Sequence, residues 1–199
     1  GSGTTGLGVE GSGQMIATWD AFVSIMSLHD LEATATTLFA AVGNAAGGTD
    51  LLTFDYAGTQ LATLADVAPH QGVAVCMLGG GDIATASATA SQVSVRRLSG
   101  GTATFTHDFP SAYSAPPNLS LVETTGDRVF VVYGADAPRV GGPSGYQAAV
   151  IGATGTVDWS LSRSLAAGVP GGSEAYALAS NATDVAVVGG FQCLSPDFG

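Results

Sequence analysis

No lysine occurs in this chain, and its five full cations are Arg96, Arg97, Arg128, Arg139 and Arg163. Against 16 acidic residues they leave a net charge of −11. Binding to phosphate backbones relies on clustered Lys and Arg, so nucleic acid is not an expected partner, nor is an anionic membrane surface. The field suits cations, calcium among them, or basic partners; it also keeps a sparsely charged surface soluble. Charge of either sign is scarce, at 11% of residues, where soluble domains average about 25%.

Other absences narrow the choices further. Cys76 and Cys193 show no Cys-x-x-Cys spacing and no nearby histidine pair, which argues against zinc; a disulfide and two buried thiols both stay open. No apolar run approaches the roughly 18 residues that cross a bilayer. The longest, Val129–Tyr133 and Val185–Val188, are strand-sized, so no membrane insertion is expected. Gly1–Gly13 is polar and glycine-rich and shows no secretory signal. Helical periodicity is not sustained anywhere. With 46% hydrophobic residues the chain is not a disordered tail.

What is present is repetition. Thr36–Gly43, Asp82–Ser87, Asp127–Gly134 and Asp184–Gly190 read as strands ending in small residues, three of them opened by aspartate. Asp82 and Asp127 are 45 residues apart and Asp184 follows 57 later, the extra length falling in the Pro/Gly-rich loop Ala135–Tyr146. After each strand comes a hairpin: Leu51–Val67, Val93–Phe109 and Ala148–Leu165. Each bends at a Gly-Thr pair (Gly58-Thr59, Gly101-Thr102, Gly155-Thr156), where glycine supplies positive φ. Met15–Leu31 reads as a weaker fourth hairpin without the glycine. Short apolar runs precede the aspartate strands at Val73–Leu78, Leu119–Val122 and Ala175–Ala179.

Four strands per unit at this period is the signature of a β-propeller blade. The expected fold is therefore all-β, a single propeller domain over residues 1–199 with about four four-stranded blades. Its units are residues 33–67, 71–109 and 118–165, with a fourth made of 15–31 plus 174–199 behind a glycine-rich lead at 1–14. The last would join strands from both ends of the chain, removing exposed strand edges. A slice of a longer array, or half of a dimeric ring, are the other arrangements.

Asp184–Gly199 (DVAVVGGFQCLSPDFG), with its Asp197-Phe198-Gly199, and Gly155–Trp159 (GTVDW) resemble the secreted β-propeller repeats abundant in myxobacterial and related bacterial proteins, of the SBBP-like and delta-60 type. The first repeat here lacks its aspartate, and Asp-Phe-Gly appears once. The resemblance implies an extracellular or cell-surface location and a binding or structural role, and it carries no catalytic residues over.

Candidate chemistry is sparse. His29-Asp30, Asp66 and His107-Asp108 fall at hairpin ends and are read as outermost-strand residues, far apart in different blades. His70 beside Pro69 reads as a loop residue. Asp20, Asp50, Asp55 and Asp127 are of the type that ligates calcium, but no Asp-x-Asp-x-Asp-Gly loop supports them, and turn capping explains them. No cofactor is therefore expected. No Gly-x-Ser-x-Gly elbow is complete, and no carboxylate pair stands out for glycoside hydrolysis. Trp19 and Trp159 are read as blade packing. Asn118-Leu119-Ser120 and Asn181-Ala182-Thr183 fit the N-glycosylation sequon, meaningful only in a eukaryotic secretory context.

The function these features favour is a non-enzymatic binding or scaffold module that engages a protein or glycan through loops on one ring face. Arg139, Tyr146 and Tyr113 are the candidate contacts, since rigid aromatic and bidentate groups anchor interfaces. One alternative is a structural subunit that self-assembles into a fibre, coat or larger ring. Another is a hydrolase or lyase using the central funnel, for which the first strands Val73–Leu78, Leu119–Val122 and Ala175–Ala179 offer almost no acid–base groups.

Overall fold

A computed structural model of the chain describes residues 5–11, 14–21, 28–70, 73–111, 116–135, 145–164, 173–180 and 184–191. Sixteen strands and no helix occur among them. β1 (Thr5–Gly11) and β2 (Gln14–Ala21) pair only with each other. Three four-stranded antiparallel sheets follow, each laid out in chain order. The first comprises β3 (Leu28–Ala33), β4 (Thr37–Gly43), β5 (Thr49–Asp55) and β6 (Gln60–Ala68). The second comprises β7 (Val73–Met77), β8 (Ile83–Ala88), β9 (Gln92–Ser99) and β10 (Thr102–Pro110). The third comprises β11 (Asn118–Thr124), β12 (Arg128–Ala135), β13 (Gly145–Ile151) and β14 (Val157–Ser164). β15 (Ser173–Ser180) and β16 (Val185–Phe191) form a last two-stranded sheet, and the sheets are not closed on one another.

The all-β reading stands, while the N-terminal assignment is corrected. Met15–Leu31 is not a hairpin: β2 pairs back onto β1, inside the supposed lead, and β3 opens the next sheet five residues earlier than residue 33. The reason lies in the turn chemistry. Gly11-Ser12-Gly13 sits between two β-prone runs and offers the bend that Met15–Leu31 lacks.

The other turns follow their glycines. At Gly47, Gly58, Gly81 and Gly155 the glycine N–H bonds to the carbonyl three residues back, and φ lies between 84° and 89°. Gly100 and Gly101 take φ of 54° and 87°, the two-residue bend that matches strand twist. The recurring aspartates start their strands beside such bends. Asp127 itself sits at φ 57°, and both Asp82 and Asp127 face Arg97 of β9. Arg97 Nε lies 2.8 Å from Asp82 and its guanidinium 3.5 Å from Asp127, joining the second sheet to the third.

Packing explains the strand compositions. The second sheet is covered on both faces, so β7 and β8 are almost wholly buried and read as continuous small or apolar runs instead of alternating. Val73, Val75 and Leu98 pack against Ala41, Leu51 and Val67 of the first sheet. Ala74, Cys76, Ala84 and Val95 pack against Leu121, Val129, Val131 and Tyr133 of the third. Alanine at these inner positions lets neighbouring sheets approach where they converge. Outer strands β6 and β10 are largely exposed.

Candidate functional site

Each sheet's first strand has one edge free of its own sheet, and such an edge presents unpaired N–H and C=O groups that need partners. Side chains of the neighbouring sheet supply them. Asp30 Oδ2 on β3 accepts the Val75 N–H of β7 at 2.7 Å. Glu123 Oε1 on β11 accepts the Gly79 N–H at 2.8 Å, and the Ser180 hydroxyl of β15 donates to the Glu123 carbonyl. These links join like positions, so β3, β7, β11 and β15 lie side by side and run the same way.

Between them is a cavity of about 320 Å³, lined by His29, Asp30 and Glu32 of β3, residues 73–75 of β7, residues 119–121 of β11, and Leu178 of β15. The wall is polar on the β3 side and mostly apolar opposite. β3 carries a bulge between Leu28 and Asp30, so that consecutive residues His29 and Asp30 both line the cavity. Regular alternation would have turned one of them away.

Burial sets the electrostatics. It pushes the carboxyl groups of Asp30 and Glu32 above their ordinary range, against the lowering effect of backbone N–H bonds from Val75 and Leu31 to Asp30 and from Ala33 to Glu32. It also lowers the imidazole of His29, keeping it neutral near neutrality. The Cys76 thiol behind this wall is pushed up to about 12, by burial first and by the charge of Glu32 next, against the lowering effect of a backbone hydrogen bond at Glu123. Both oxygens of Asp30 already accept backbone N–H groups, from Val75 at 2.7 Å and Leu31 at 2.9 Å. Asp30 therefore holds two sheets together, and the cavity offers acceptors for hydroxyl or amine groups against an apolar wall.

This corrects one expectation: His29 and Asp30 are on the first strand of their sheet, beside β7, not on an outermost strand, whereas the cavity residues of β7, β11 and β15 carry no acid–base group. Reading Met15–Leu31 as an outer hairpin puts His29 and Asp30 at its end; the local signal against that reading is the Gly11-Ser12-Gly13 run before Met15. The other His-Asp pair is on outer strand β10, where Asp108 accepts the Ser94 hydroxyl at 2.7 Å and His107 lies against Phe109. Asp66, on outer strand β6 at φ 53°, accepts from Asn44 at 3.1 Å. Asp50 accepts from Asn44 and from the Asp66 N–H, and Asp55 caps its turn through Ala57 and Thr59 N–H groups. Turn capping thus accounts for Asp55, whereas Asp50 ties the Asn44 side chain to the β6 backbone at Asp66. The Asp20 side chain lies outside the described residues.

Of the three interface candidates, Arg139 and Tyr113 lie outside the described residues, as does the Tyr146 side chain; the backbone of Tyr146, on β13 at one end of the third sheet, pairs with Gly134 of β12 and Arg163 of β14. At that end Asn118 faces Gly134 and Gly145 faces both Ala135 and Ser164, so segments 112–117, 136–144 and 165–172 all attach there. The first residues of β11 also line the cavity, so the two features share an end of the sheet. Cys76 is a buried free thiol, and Cys193 lies outside the described residues.

No known protein family matches the sequence, and no curated protein matches it either. Among solved structures the chain is similar to a protein of unknown function from Bacteroides caccae, with a TM-score of 0.51 and 11% identity over 84% of this chain. The match covers 54% of that protein, so the chain spans about half the length of its structural neighbour. The likeness concerns the fold.

Proposed function

We propose that the chain is a β-propeller of about four four-stranded blades, one shared by its two ends, acting as a non-enzymatic extracellular binding or scaffold module for a protein or glycan. One observation carries this reading: long segments leave the third sheet at the end where the inner strands begin and the cavity is lined, whereas tight glycine turns occupy the opposite end. Variable segments on a stitched strand scaffold are how rigid folds present binding groups. The resemblance to secreted propeller repeats supports the location.

Binding to a printed glycan array, followed by calorimetry on any hit, tests it. Arg139→Ala with Tyr146→Ala is expected to weaken affinity about tenfold or more; unchanged affinity removes that contact set. A second reading, a hydrolase or lyase in the funnel, is favoured by His29, Asp30 and Glu32 on the innermost strand. Turnover of a bound glycan that vanishes in Glu32→Gln would replace the non-enzymatic reading.

A further inference from the structure

We propose that the cavity walled by β3, β7, β11 and β15 takes a primary alkylammonium group, its charge on Glu32 and its methylene stem along Leu119, Leu121 and Leu178. This deepens the binding-module reading above and rests on it.

Charge is the first support. Asp30 and Glu32 line the cavity, and no arginine does among the described residues. Arg97 is engaged elsewhere by Asp82 and Asp127, and Arg128 by Asp158. Beyond burial, the charge of Asp30 pushes the Glu32 carboxyl up. After burial, the charges of Glu32, Glu123 and Asp30 all push up the Cys76 thiol behind the wall. Burial and like charge thus act the same way on the carboxylates, and a cation seated among them offsets both. His29 supplies no such cation, because burial lowers its imidazole.

The second support is where acceptor capacity remains. Asp30 spends one oxygen on the Val75 N–H at 2.7 Å and the other on the Leu31 N–H at 2.9 Å. Glu32 takes a single long bond on Oε2, from the Ala33 N–H at 3.3 Å, which leaves Oε1 for a ligand.

Shape is the third. About 320 Å³ is at the small end of ligand pockets and far exceeds a bare metal ion. Calcium takes roughly six to eight oxygens, and among the described residues no three His, Cys, Asp or Glu groups are placed to hold a metal. A polyol needs hydroxyl partners all round, yet the wall opposite β3 is mostly aliphatic. An alkylammonium matches both sides, as a lysine stem lies along apolar surface while its head stays polar. The chain contains no lysine, so no copy of itself can offer that side chain. A free aliphatic amine and a lysine of a partner protein share the chemistry, and the net charge of −11 draws either one in.

The test titrates pentylammonium chloride into nitrogen-15-labelled protein, with pentanol as the neutral match. Amide signals of Val75 and of residues 119–121 report the cavity. Pentylammonium is expected to move them with saturation at roughly millimolar concentration, as suits a fragment of about six heavy atoms. Pentanol should bind about tenfold more weakly or less, and Glu32→Gln should weaken pentylammonium about tenfold. Unmoved signals, or equal effects of amine and alcohol, overturn the proposal; that comparison needs no variant and holds even if Glu32→Gln fails to fold. Unchanged affinity in folded Glu32→Gln overturns it too. A capped Gly-Gly-Lys-Gly-Gly peptide and its Nε-acetylated form separate the sources. Tight binding of the lysine peptide with the acetylated form silent assigns a partner's lysine, whereas pentylammonium binding without the peptide assigns a free amine. Glycan-array binding and its dependence on Arg139 and Tyr146 are read separately, so either result can fail while the other stands.

Discussion

Replacing Gly155 by alanine probes the contact between adjacent sheets most directly. Gly155 has φ 85°, and an added Cβ would lie 2.9 Å from both Cβ and Cγ of Phe105. Gly81 has nearly the same φ, 84°, with nothing within 4 Å of an added Cβ. Gly81→Ala therefore reports left-handed strain alone, about 1 kcal/mol. Gly155→Ala adds an overlap with a Cβ fixed to the β10 backbone, on the order of 1–3 kcal/mol more. At roughly 2–4 °C per kcal/mol for a chain of this size, Gly155→Ala should melt about 2–12 °C below Gly81→Ala. Differential scanning calorimetry of both variants measures it. Phe105→Ala removes the ring but leaves its Cβ, so the double variant should be less destabilised than the two single changes added together. Gly101→Ala should fall between the two, because its neighbour is the movable end of Leu64. Equal melting of Gly155→Ala and Gly81→Ala, or strict additivity with Phe105→Ala, would show that the bend does not seat on β10.

Two further outcomes follow from burial and charge. Cys76, with its thiol pushed up to about 12, should resist iodoacetamide at pH 8 in the folded protein and react once denatured; peptide mass spectrometry locates the adduct, and modification of Cys76 at the denatured rate would contradict its placement. The pH dependence of stability should carry opposite contributions. Glu32 has a folded value raised above 4.5, so the native state holds its proton longer and stability falls as pH rises from 4.5 through the raised value; Glu32→Gln should flatten that fall. Asp82 is held below 3.8 by hydrogen bonds from Ser99 and Arg97, so its contribution is present above 3.8 and lost as pH drops through the lowered value; Asp82→Asn should remove that acid limb. Urea melts at pH steps from 2.5 to 7 read both, and identical curves for either variant and the parent would refute that assignment.

The strand content of this protein was settled locally. Glycine at Gly58, Gly101 and Gly155, aspartate at Asp82 and Asp127, and short β-prone runs between them define turns and strands through backbone conformation, which depends on near neighbours. Three four-stranded units follow from that pattern with little ambiguity. Locating the first inner strand required knowing what β2 pairs with, because Met15–Ala21 is apolar enough to pair in either direction along the chain. Pairing is a long-range choice, decided by which register buries which face. The same holds for the site. The sequence gives His29, Asp30 and Glu32 as three polar residues in a strand, with nothing local to separate an inner edge from an outer one. Only the assembled sheets set β3 beside β7, turned Asp30 onto the Val75 N–H, and formed the half-open cavity at whose wall burial perturbs all three groups. Local conformation is written residue by residue, whereas burial belongs to the packed whole.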